Sequence, residues 1–164
     1  MMEALRGGLN KVLNVLTGTC FLAMVVFTFA QVVMRYIFSS PLTWSDELVS
    51  YLFAWASLLG ACLVTGERGH MSVPLLGQKL GSESSKKMLG IFGELIAFIF
   101  SLVILTYGGV QVFTLAHGQM TSSLGVTAAV FYVMLPVAGI LNALYAVLNI
   151  HDIMSGRMQA FPEE

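Results

Sequence analysis

Charge is what this sequence has least of. Only 10% of its 164 residues are Asp, Glu, Lys or Arg, and 57% are hydrophobic. An ordinary soluble domain carries roughly 25% charged residues, and a core of this size cannot hide so much apolar surface from water, so the bulk solvent for this chain is lipid. A net charge of −1 leaves too few cations to neutralise phosphates in number, which excludes nucleic acid as a partner. The two cysteines, Cys20 and Cys62, both fall inside apolar runs; neither a disulfide framework nor a metal site is expected, and buried reduced thiols are. No Cys-x-x-Cys, glycine-rich phosphate loop or nucleophile elbow is present. His70, His117 and His151 sit at the edges of apolar runs, where they can form neither one metal site nor the facing pair of a haem-binding bundle. No catalytic residue and no cofactor are therefore expected on this chain, which reads as a non-enzyme.

Long apolar runs are what the sequence does have. Met1 to Lys11 is a short, mildly basic, amphipathic lead-in. The run after it is too long for a signal peptide and lacks a small-residue cleavage site. Val12 to Met34 carries no charge; at about 1.5 Å per residue it reaches roughly 35 Å, more than the roughly 30 Å hydrocarbon core. Ser39-Ser40-Pro41 makes the turn, and Pro41 stops the first helix from continuing. The second segment opens on Pro41-Leu-Thr-Trp-Ser-Asp-Glu47, with acids where the helix dipole favours them. Thr43 with Asp46 fits a capping box, and Ser40-Pro41 offers an alternative start. Trp44 suits an anchor at the water–lipid boundary. Arg35 faces Asp46 and Glu47 across the turn, so an Arg35–Glu47 or Arg35–Asp46 pair is expected to staple the first two helices. Ala56, Ser57, Gly60 and Ala61 put small residues at four-residue spacing, suited equally to packing within the chain or onto a partner.

The spacing predicts an all-α membrane protein, a four-helix bundle forming one domain over 1–164. Its helices run over about 12–38, 43–66, 88–116 and 124–150, with a loop over 67–87. Val73, Leu75, Leu76 and Leu80 among polar residues predict a short amphipathic helix in that loop, lying in the interface. Lys79, Lys86 and Lys87 there suit anionic headgroups, and Arg68 and His70 close the second helix. Pro136 lies inside the fourth. Of the eight Lys and Arg, seven fall in the N-terminus, middle loop and C-terminus, and one, Arg35, in the other two loops. The positive-inside rule then puts both termini in the cytoplasm. Glu94 is the one charged residue well inside an apolar run; it reads as a polar helix contact or a snorkelling residue, or more sharply as a proton or ion ligand.

At these residues the chain resembles the small membrane subunit of the tripartite ATP-independent periplasmic (TRAP) transporters. The resemblance rests on Arg35-Tyr36-Ile37-Phe38, Pro41-Leu42-Thr43-Trp44-Ser45-Asp46-Glu47, Tyr51-Leu52-Phe53-Ala54-Trp55, Gly60, Arg68 and His70, and more weakly on Leu124-Gly125-Val126 and Leu135-Pro136. It implies a multi-pass protein of the bacterial inner membrane, a scaffold held tightly against a large subunit that carries the substrate and sodium sites. It also implies a periplasmic binding protein that delivers an organic acid of the dicarboxylate, sialic acid or sulfonate class. On that reading Arg35, Trp44, Asp46, Glu47, Ala56 and Gly60 belong to a subunit interface or periplasmic docking face. The competing reading is an independent four-span carrier working through Glu94.

Overall fold

The computed structural model describes residues 2–67 and 83–155. The predicted interfacial helix, Arg68, His70 and Lys79 lie outside the described residues, as does the side chain of Lys86. The first helix, α1, runs Met2–Tyr36 and α2 runs Thr43–Gly66. The third span is α3 (Glu83–Phe100), a π-helical segment (Ser101–Gly108) and α4 (Gly109–Ala116). The fourth is α5 (Ala129–Tyr132) followed by α6 (Met134–Met154). Four helices are thus long and apolar enough to cross a membrane. Among the described residues there is no strand, only one isolated bridge between Met120 and Thr127.

Local chemistry explains where these elements stop. Ser39 takes a left-handed conformation (φ 52), the Ser40 N–H donates back to the Met34 carbonyl at 3.1 Å, and α1 ends there. The capping box expected at α2 does not form. Leu42 occupies the cap position without a side-chain bond, and both the N–H and the hydroxyl of buried Ser45 donate to the Leu42 carbonyl. The fourth span begins later than the apolar pattern suggests, because 117–128 are used by a loop. It breaks at Val133, three residues ahead of Pro136, since proline has no N–H to offer the carbonyl one turn before it.

The spans pack as a row: α1 lies on α2, α2 on the fourth span and the fourth span on the third. One core runs along the first three members of that row, with Leu13, Leu59, Cys62, Met134, Ala138, Tyr145 and Leu148 at its centre. Between the third and fourth spans the backbones come close. A Cβ on Gly139 would meet the Thr106 backbone at 2.7 Å, and one on Gly109 would meet Leu135 Cβ at 2.9 Å. The π segment keeps this seam in phase. Thr106 Oγ1 donates to the carbonyl of Ser101, five residues earlier, at 2.9 Å, and the wider turn carries Ser101, Thr106 and Gly109 along one side.

The row has two ends. The loop end carries 37–42 and 117–128; the terminal end carries the start of α1 and the end of α6.

Candidate functional site

At the loop end the organising group is the Glu47 carboxylate, one turn into α2. It accepts the backbone N–H groups of Ser122 (3.2 Å), Ser123 (2.8 Å) and Leu124 (3.3 Å), with the Ser122 hydroxyl at 3.5 Å. Successive N–H groups converging on one carboxylate form an anion-binding turn, here filled by the chain's own acid. The turn is shaped from within. Thr121 Oγ1 donates to the Val126 carbonyl and accepts the Val126 N–H, and Gly125 supplies the left-handed step (φ 65).

The expected staple from Arg35 is not what joins α1 to α2. Asp46 instead takes Gln31 Nε2 at 2.5 Å, and among the described residues Arg35 makes no ion pair with either acid. Gln31 lies one turn before Arg35 on the same face of α1 and is half-buried, whereas Arg35, in the helix's last turn, is exposed. Trp44 also faces inward: half-buried, it meets Phe27 edge-on with ring centroids 5.8 Å apart. Deeper in the span, Trp55 Nε1 donates to the Phe131 carbonyl at 2.8 Å, and Tyr51 stacks on the Phe131 ring at 3.8 Å.

At the terminal end the organising group is Asn149, fully buried on α6. Its Nδ2 donates to Glu94 Oε1 (2.8 Å) on α3 and to the Thr65 carbonyl (3.1 Å) on α2. Its Oδ1 accepts from Arg6 on α1. Arg6 also pairs with Asp152 at 3.2 Å, and Tyr145 donates to Asn10 Oδ1 at 2.5 Å. Gly66 lets this contact form, because a Cβ there would meet the Tyr145 ring at 2.6 Å. One polar cluster thus ties all four spans. Glu94 is 3% exposed, so the snorkelling reading fails, and its carboxylate makes a polar contact between helices.

Other candidate residues stay apart from both clusters. Ala56 and Gly60 are half-buried, and a Cβ on Gly60 would meet nothing within 4 Å. Lys87 is exposed. His117 is exposed and meets the Phe113 ring edge-on; His151 lies at the opposite end, 3.8 Å from Asp152. No group of three or more His, Cys, Asp or Glu able to hold a metal occurs among the described residues. Sequence reasoning missed Arg6, Asn10, Tyr145, Asn149 and Asp152. A signal was present: Asn142 and Asn149 are seven residues apart in an otherwise apolar run, a spacing that puts two amides on one helix face.

A family model described as "Tripartite ATP-independent periplasmic transporters, DctQ component" matches residues 24–156. That stretch contains Glu47 and its turn as well as Glu94 and Asn149, and begins after Arg6 and Asn10. Over 133 residues the chain is 29% identical to the sialic acid TRAP transporter permease protein SiaT of Haemophilus influenzae (strain 86-028NP), a match covering 81% of this chain and 21% of that protein. It is 39% identical over 80 residues to a putative TRAP transporter small permease protein of H. influenzae (strain Rd), covering 49% of this chain and 50% of that one. It is 22% identical over 158 residues to the sialic acid TRAP transporter small permease protein SiaQ of Vibrio cholerae, covering 93% and 87%. The match thus spans about a fifth of SiaT and half of the putative small permease.

Proposed function

The chain belongs to the DctQ component family of the TRAP transporters, and from that premise we propose that it is a rigid scaffold subunit that holds a large transport subunit in the inner membrane. The observation that carries this reading is the use made of Glu94. The acid deepest in the apolar runs is bound to Asn149 where three spans meet, and α1 is drawn in through Arg6. An ion-coupled carrier instead keeps such a residue near mid-membrane and open to its cargo. The SiaT match supports a large companion, since about four fifths of that permease lies outside the matched stretch.

Substrate and sodium sites then lie on the large subunit. The relatives are named for sialic acid and C4-dicarboxylates, both carboxylate-bearing organic acids, and a cargo of that class is the reading we adopt. Seven of eight Lys and Arg lie in the terminal segments and middle loop, so the terminal end is cytoplasmic and the loop end periplasmic. The turn held by Glu47 then lies on the face that meets a periplasmic binding protein.

The test is purification of the tagged chain from its native membrane in mild detergent, with intact-mass analysis. We expect a stoichiometric apolar partner several times larger. Uptake of an organic acid by vesicles holding this chain alone, abolished by Glu94→Gln, would establish the carrier reading instead.

A further inference from the structure

Most of the outward surface of the spans is bulky. Phe21, Val25 and Phe29 on α1, Ile99 and Val103 on the third span, and Ile140 and Val147 on α6 are all exposed, as suits side chains lying against lipid tails. One side of α2 differs. Going back from Thr65 at helical spacing come Ala61, Ser57 and Ala54; Ala54 and Ser57 are exposed and Ala61 is half-covered. Small residues in this pattern let a second helix approach closely.

A second observation points to the same place. Thr65 and Glu94 both meet Asn149, so that side of the fourth span looks into the cleft between α2 and the third span. Two turns along α6 is Asn142, and two turns along the third span from Glu94 is Ser101, so periodicity puts both on that cleft. The α2 and third-span helices share no packed seam of their own. Asn142 lies near the middle of its span, is 7% exposed, and its Oδ1 has no hydrogen-bond partner. An unpaired amide in hydrocarbon is costly, and its broad terminal torsion lets the amide turn toward a donor.

We propose that this cleft seats a transmembrane helix of the large subunit, lying along Ala54, Ser57 and Ala61 and donating a hydrogen bond to Asn142. The proposal rests on the scaffold reading above and assigns the face that reading leaves open. The exposed side of α6, with Ile140 and Val147, then faces lipid.

The experiment uses the co-expressed complex. Ser57→Leu with Ala61→Leu should cut recovery of the large subunit at least about tenfold, a loss of roughly 1.4 kcal/mol, with the small subunit still monodisperse. Asn142→Leu should weaken recovery in the same direction, and Ile140→Ala with Val147→Ala should leave it unchanged. To keep the result independent of folding, a photo-crosslinking side chain at Ser57 should capture the large subunit and one at Ile140 should not. Full recovery with Ser57→Leu/Ala61→Leu, or capture from Ile140 and not from Ser57, overturns the proposal. If the wild-type chain is recovered alone, the scaffold reading falls with it.

Discussion

At the loop end one carboxylate closes a turn of backbone, whereas at the terminal end side chains from all four spans close on one another. Glu47 satisfies three N–H groups that water can otherwise reach, since Ser122 and Ser123 are exposed. Asn149, by contrast, is fully buried and joins groups shut away from water. A hydrogen bond that water can replace contributes modestly, while a buried group that loses its partner bears the full desolvation cost. The terminal end should therefore set the stability of the row, and the loop end the shape of one surface.

The sharpest way to break this comparison is Asn149→Leu. It removes a partner from Arg6, from Glu94 and from the Thr65 carbonyl at once. We expect a loss of about 3 kcal/mol, read as a lowered melting temperature of the purified protein in mild detergent. Hydrogen exchange at Ser122–Leu124 should stay as in the wild type, because the two ends share no partner. Unchanged melting would mean that the core along Leu13, Cys62 and Tyr145 holds the spans without the polar cluster.

Glu47→Gln sharpens the same comparison from the other side. The amide keeps one acceptor oxygen and loses the charge, so the expected cost is about 1 kcal/mol. The more telling readout is local: faster amide exchange at Ser123 and Leu124, with melting moved little. If Glu47→Gln lowered melting as much as Asn149→Leu, the division between a stability end and a surface end would be wrong.

The two ends also differed in how far the sequence revealed them. Four crossings were legible because apolar length alone requires them. Asp46 and Glu47 stood out as acids at a helix start, but their partners did not. The groups that bind Glu47 are backbone N–H groups 75 or more residues away, and a backbone donor has no residue type to recognise. Asn149 was overlooked because an amide in an apolar run matches no motif, although its spacing from Asn142 was visible. The break in the fourth span was half-readable: Pro136 announces it, but the missing N–H acts a turn earlier, at the carbonyl of Tyr132, where the short helix ends. The π segment has no sequence mark at all, and only the close approach at Gly139 shows what its wider turn achieves.

Arg35 is where sequence and structure part most plainly, and it gives the smallest expected effect. Charge and proximity in sequence favour a pair with Asp46 or Glu47. Yet Glu47 is already engaged by the 122–124 turn, and Asp46 by Gln31, which sits on the α2-facing side of α1. Arg35, in the last turn of α1, is left exposed, where a lone surface charge contributes within about 0.5 kcal/mol. Arg35→Gln should therefore leave melting and complex yield unchanged, while Gln31→Leu should loosen the start of α2 by removing the Asp46 contact, seen as faster exchange at the amides after Trp44. A loss of yield with Arg35→Gln at unchanged melting would give the arginine a role at a partner's surface. The loop end would then owe its function to the charge it points outward as well as to the one it folds around.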